Sequence, residues 1–175
     1  MLLPKSWLYM SDNQIDNLAL ELGQALVRRR WRIATAESCT GGWIAQAITS
    51  VPGSSKWFEQ GFITYSNEAK CKQLNVKEKV LKDSGAVSSA VVIAMATSAL
   101  ERAVADIAVA VSGIAGPDGG SEEKPVGTVW IAWAISGEKH FSRLYHFTGG
   151  RSDIRQQTVV EALKGILVLL EKNTV

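Results

Sequence analysis

The 175 residues carry 19 Lys and Arg against 17 Asp and Glu, for a formal net charge of +2, and 46% of them are apolar. That is enough apolar material for one well-buried core, so a single domain is expected. The near-balance of charge argues against a disordered acidic tail and a strongly basic nucleic-acid-binding surface, and no apolar run approaches the length of a membrane span.

Met1 to Met10 is interrupted by Pro4 and Lys5 and lacks the long apolar stretch of a secretory signal, so a cytoplasmic protein is expected. Residues 1–11 read as an irregular extension. Ser11 or Asp12 then caps a helix running to about Arg30, with Ile15, Leu18, Leu22, Ala25 and Leu26 on its apolar face. The basic run Arg28-Arg29-Arg30 closes that helix, where cations oppose the negative end of the dipole. A short strand follows over Trp31–Ala36, and then a helix from Trp43 to Ser50.

Pro52-Gly53-Ser54-Ser55 marks a turn, and Phe62-Ile63-Thr64-Tyr65 reads as a strand. Ser66-Asn67 stops that strand and caps a short helix over Glu68–Leu74, with a second helical piece around Lys77–Lys82 closing at Gly85. Ser88 or Ser89 caps a longer helix through Val92, Met95, Ala96, Ala99 and Leu100. The continuous apolar run Ile107–Val111 suits a strand covered on both faces. After a long loop, Ser112–Val126, two strands over Thr128–Ile135 and His140–Phe147 flank a hairpin turn at 136–139. A final helix spans about Ser152–Glu171. This order implies a mixed sheet with helices on both faces, a three-layer α/β/α sandwich in one domain.

Three loops converge at one edge of such a sheet, beyond the carboxyl ends of parallel strands. The first is Glu37-Ser38-Cys39-Thr40-Gly41-Gly42, which puts a carboxylate, two hydroxyls and a thiol into a strand-to-helix turn. Its paired glycines permit a tight bend, and the N–H groups opening the next helix suit an anion or an oxyanion. The second is Tyr65-Ser66-Asn67-Glu68-Ala69-Lys70. The third, Ser112 to Gly120, is rich in backbone donors with small side chains.

None of the three is a Walker A loop, a Rossmann fingerprint or a Gly-X-Ser-X-Gly elbow. A serine nucleophile needs a base. His140 and His146 lie on a strand far in sequence from every glycine-rich loop, which leaves Lys70, provided burial or a nearby cation lowers its pKa. Tyr65 is placed to relay or orient the proton. Cys39 is the alternative nucleophile, since a helix start lowers a thiol's pKa. Cys39 and Cys71 imply no disulfide framework, and no metal-ligand cluster is present, so neither metal nor cofactor is expected.

Four ordered motifs carry a resemblance. Thr35–Gly42, Tyr65–Lys70, Gly85-Ala86-Val87-Ser88 and Ser112–Gly120 are similar in sequence and order to the C-terminal domain of the competence/damage-inducible CinA proteins. The chain resembles the stand-alone form of that family, the nicotinamide-nucleotide amidohydrolases, from about Ile15 to Leu170. The resemblance implies hydrolysis of the amide of nicotinamide mononucleotide to nicotinate mononucleotide and ammonia. It implies Ser38 as nucleophile, Lys70 as its activator and Tyr65 nearby. Glu37, Thr40, Gly41, Gly42, Ser112 and Gly113 are then expected around the ligand, and Arg151 or Arg155 is a candidate clamp for its phosphate. A nucleotide-binding regulatory module without turnover is the rival expectation. The apolar last helix and the tryptophans leave room for a homodimer or higher homo-oligomer.

Overall fold

The computed structural model describes residues 6–138 and 140–172, with side chains from residue 14 onward. Five strands form one mixed sheet: β1 (Ile33–Glu37), β2 (Phe58–Ile63), β3 (Ile107–Gly113), β4 (Thr128–Ile135) and β5 (Phe141–His146). Their spatial order is β2-β1-β3-β4-β5. The first three are parallel, and β4 and β5 run antiparallel beside them. Helices α1 (Ser6–Arg29), α2 (Trp43–Thr49) and α6 (Arg151–Lys172) cover one face. Helices α3 (Asn67–Leu74), α4 (Glu78–Ser84) and α5 (Ser89–Ala103) cover the other.

Strand periodicity explains how the two faces differ. Ile33, Ile107, Val109, Val111, Ile131, Trp133 and Ile135 point to the α1/α6 side, where they pack against Leu22, Leu26, Leu163 and Ile166. The alternate positions, Ala34, Ala36, Ala108, Ala110, Ala132 and Ala134, face α5. This alanine floor lets α5 lie close, and it meets the sheet with Val91, Val92, Met95 and Ala99. The expected three-layer α/β/α sandwich is the observed fold.

Two boundaries differ from expectation by more than two residues. The first helix already runs from Ser6, so residues 6–11 are helical rather than an irregular extension; residues 1–5 and Lys139 of the hairpin lie outside the described residues. Strand β2 begins at Phe58 and ends at Ile63, earlier than the expected Phe62–Tyr65. It is an edge strand whose Glu59, Gln60, Gly61 and Ile63 face solvent, so no apolar alternation announces it. Thr64 still donates its N–H to Glu37 O at 2.8 Å, and the chain then turns into α3.

Candidate active site

Strand β1 ends on Glu37, and Ser38 follows with its N–H given to Val111 O of β3 at 3.1 Å. The turn onward requires Gly41 at φ 63° and Gly42 at φ 100°, a region that residues with a Cβ avoid. The Glu37 side chain turns inward and is fully buried. One of its oxygens accepts the Thr40 hydroxyl at 2.6 Å and the N–H groups of Gly42 and Ile44 at 3.0 Å, and the other accepts Ala45 N–H at 2.8 Å.

The carboxylate of Glu37 therefore caps α2 and occupies the donors that were expected to hold an anion. Glu37, Thr40, Gly41 and Gly42 shape the turn from behind instead of lining the pocket. A buried carboxylate with four donors is well compensated, and it holds the Ser38–Thr40 turn against the helix.

Lys70 arrives from the opposite layer. Ser66 caps α3, its side chain accepting Ala69 N–H at 3.0 Å, and one turn later Lys70 points under the sheet edge with 1% of its surface exposed. Its Nζ lies 3.0 Å from Ser38 Oγ, 2.9 Å from Thr64 O and 3.3 Å from Tyr65 O. No carboxylate forms an ion pair with it among the described residues. Burial lowers its pKa below the ordinary lysine value, opposed by the Cys39 and Cys71 thiols. Nζ thus has three oxygen neighbours within hydrogen-bond reach: two main-chain carbonyls and the Ser38 hydroxyl.

Ser38 and Lys70 form the floor of a pocket of about 280 Å³, just under the usual range of ~300–1,000 Å³ for small-molecule sites. Cys39, Tyr65, Asn67, Ser112, Asp118 and Arg151 are among the other residues that line it. The third loop forms one wall. Ser112 Oγ donates to Ala86 O at 2.8 Å, and Lys124 Nζ reaches Ser84 O at 3.2 Å and Val87 O at 3.0 Å. These bonds tie the segment between α4 and α5 to the site. At Gly113 a Cβ would sit 2.5 Å from Val129 Cγ2, so only glycine allows β3 to pass there undisturbed.

The two arginines part company. Arg151 spans the mouth, donating to Gly116 O at 2.8 Å and to the Tyr65 hydroxyl at 2.9 Å. Arg155 donates to Cys39 O at 3.1 Å and Thr40 O at 2.7 Å while stacking over Trp43; it braces the turn and does not line the pocket. Tyr65, 59% exposed, meets Lys70 through its main-chain carbonyl and Arg151 through its hydroxyl.

Burial pushes the Cys39 thiol up to about 12, contrary to the lowering expected from a helix start. Asn67 and Asp118 also line the pocket, though neither is among the residues expected from sequence; both sit inside the second and third motifs, beside their basic or small members. No group of three His, Cys, Asp or Glu side chains among the described residues has the geometry to hold a metal ion. No helix among them is long and apolar enough to cross a membrane.

Known proteins share this architecture and sequence. The crystal structure of competence/damage inducible protein CihA from Agrobacterium tumefaciens superposes with a TM-score of 0.87 at 42% identity, covering 90% of this chain and 96% of that one. Nicotinamide-nucleotide amidohydrolase PncC of Escherichia coli (strain K12) is 51% identical over 165 residues, 94% of this chain and 100% of that protein. The protein of the same name from Pseudomonas putida is 55% identical over 155 residues, 89% of this chain and 96% of that protein. The model of the CinA C-terminal domain matches residues 15–170, and the chain belongs to that family.

Proposed function

We propose that the protein hydrolyses the carboxamide of nicotinamide mononucleotide, releasing ammonia and nicotinate mononucleotide, with Ser38 as nucleophile and Lys70 as its base. The observation that carries this is the 3.0 Å contact between Ser38 Oγ and a buried lysine amine with no ion-pair partner among the described residues. The names of the PncC relatives support the substrate.

Ser38 Oγ attacks the amide carbon as its proton passes to Lys70 Nζ. The tetrahedral oxyanion collapses, the C–N bond breaks, and Lys70 returns the proton to the departing nitrogen, which leaves as ammonia. Water, deprotonated by the same amine, then cleaves the ester and restores Ser38. Since Glu37 takes the N–H groups of Gly42, Ile44 and Ala45, the Cys39 amide, next in the chain after the nucleophile and without a main-chain partner among the described residues, is the candidate oxyanion donor. One such donor is typically worth ~3 kcal/mol in the transition state.

Arg151, at the mouth, takes the phosphate, and Tyr65 steadies its guanidinium. No metal or cofactor enters this chemistry. The free thiols Cys39 and Cys71 support a reducing, cytoplasmic setting. Exposed Phe141 and Val168, beside the groove between β5 and α6, offer a surface for a homodimer.

Ammonia release from nicotinamide mononucleotide tests the assignment. Ser38→Ala is expected to bind the nucleotide and release none, while Cys39→Ala keeps activity within a few-fold. Binding without ammonia by the wild-type protein would instead identify a nucleotide-binding module, and the reverse pattern of the two variants would make the thiol the nucleophile.

A further inference from the structure

We infer that the Asp118 carboxylate holds the ribose cis-diol of the nucleotide, and so makes the site selective for ribonucleotides over smaller amides; this rests on the hydrolase assignment above. Asp118 lines the pocket, is exposed, and makes no hydrogen bond or ion pair with another described group. Its loop is nevertheless anchored. Ile114 N–H donates to Thr128 O at 2.9 Å, and Gly127 N–H donates back to Ile114 O at 2.8 Å. Gly116 at φ 77° and Gly119 at φ 90° bracket Asp118 and set how the loop presents it. An unpartnered carboxylate on a fixed pocket wall is available to a ligand that brings O–H or N–H donors.

The order of groups along the substrate selects the donors. The amide carbon must reach Ser38 on the buried floor, which holds the ring to which it is bonded at the same depth. The phosphate belongs at Arg151, whose Nη1 is bonded to Gly116 O, two residues before Asp118. Between ring and phosphate lies the ribose. A carboxylate so near the phosphate position would repel that group, yet it suits two neutral hydroxyls one carbon apart, each donating to one of its oxygens. Ring recognition is the weaker alternative, because Asp118 is exposed at the mouth whereas the ring lies near the floor.

The test is a double-mutant cycle between Asp118→Ala and the substrate's diol, using nicotinamide mononucleotide and its 2′,3′-dideoxy analogue. With the natural nucleotide, Asp118→Ala is expected to lower kcat/KM about 10-fold or more, mostly through KM, as loss of charge-assisted hydrogen bonds implies. With the analogue, wild type and Asp118→Ala should agree within about two-fold, because the partner groups are already absent. Equal loss on both substrates, or no loss on either, overturns the inference; equal loss spared by the reduced, uncharged-ring nucleotide would reassign Asp118 to the ring. The same cycle is read by calorimetric affinity in Ser38→Ala. If the wild type releases no ammonia, the hydrolase assignment fails while those affinities still decide the diol contact. A wild type that releases no ammonia, together with absence of nucleotide binding by Ser38→Ala, overturns both.

Discussion

As the proposed base, Lys70 must do what an ordinary lysine cannot. At a pKa of ~10.4 almost none would be neutral at pH 7, and each unit of lowering represents ~1.4 kcal/mol of preference for the neutral form. Burial, one of the two causes expected from sequence, acts in that direction here, and the Thr64 and Tyr65 carbonyls accept hydrogen bonds from Nζ. The rate should therefore rise with pH along an ionisation below that of free lysine, as the neutral base accumulates. Lys70→Arg should lose about 10²–10⁴-fold in kcat, the usual worth of a general base, because guanidinium stays protonated. A pH–rate profile for both proteins checks this; a variant with substantial turnover and the same pH limb would make Lys70 a fixed cation instead. Glu37 carries a different residue-scale lesson. In a one-dimensional motif, a carboxylate beside a nucleophile looks like a ligand group. Only the path of α2 shows that its oxygens are already committed to four donors.

Among the elements, α6 depends on a residue that helix propensity would reject. Gly165 sits mid-helix, and a Cβ there would lie 2.2 Å from Trp133 Cζ2, while the same indole donates Nε1–H to Ala162 O at 3.0 Å. Propensity alone predicts that Gly165→Ala stabilises the protein by ~1 kcal/mol. Overpacking a ring already held by a hydrogen bond costs ~1–3 kcal/mol and should win, so a lower Tm is expected from thermal denaturation. The long periodic elements, α5 and α6, and the apolar strand β3 were legible because their burial follows their own repeat. Strand β2 was not, since its neighbour β1 provides its register while its own side chains remain wet. The indole that fills the space over Gly165 comes from β4, more than thirty residues away in the chain. No local pattern announces such a contact.

At the scale of the molecule, the site exists because the parallel strands β1, β2 and β3 all deliver their carboxyl ends to one edge. That convergence is readable from the order of elements, and it brings together the loops of Ser38, Lys70, Ser112 and Gly113. The division of labour between Arg151 and Arg155 was not readable. Both open the same helix, and their roles depend on which carbonyls lie across from that helix: Gly116 for one, Cys39 and Thr40 for the other. The unpaired lysine beneath this edge also has a thermodynamic side. Because folding lowers its pKa, the unfolded chain binds the extra proton at any pH between the depressed value and ~10.4, and the folded state gains stability as pH rises through that window. Below the window both states are protonated and the burial penalty is felt in full. Lys70→Met, of similar length and without a charge to desolvate, removes this dependence. The Tm of the wild type relative to that variant should climb as the medium is made alkaline, and a constant difference across the range would contradict it. On the proposed mechanism, keeping Lys70 as the base costs stability below that window, and selection for thermal tolerance alone would tend to remove it.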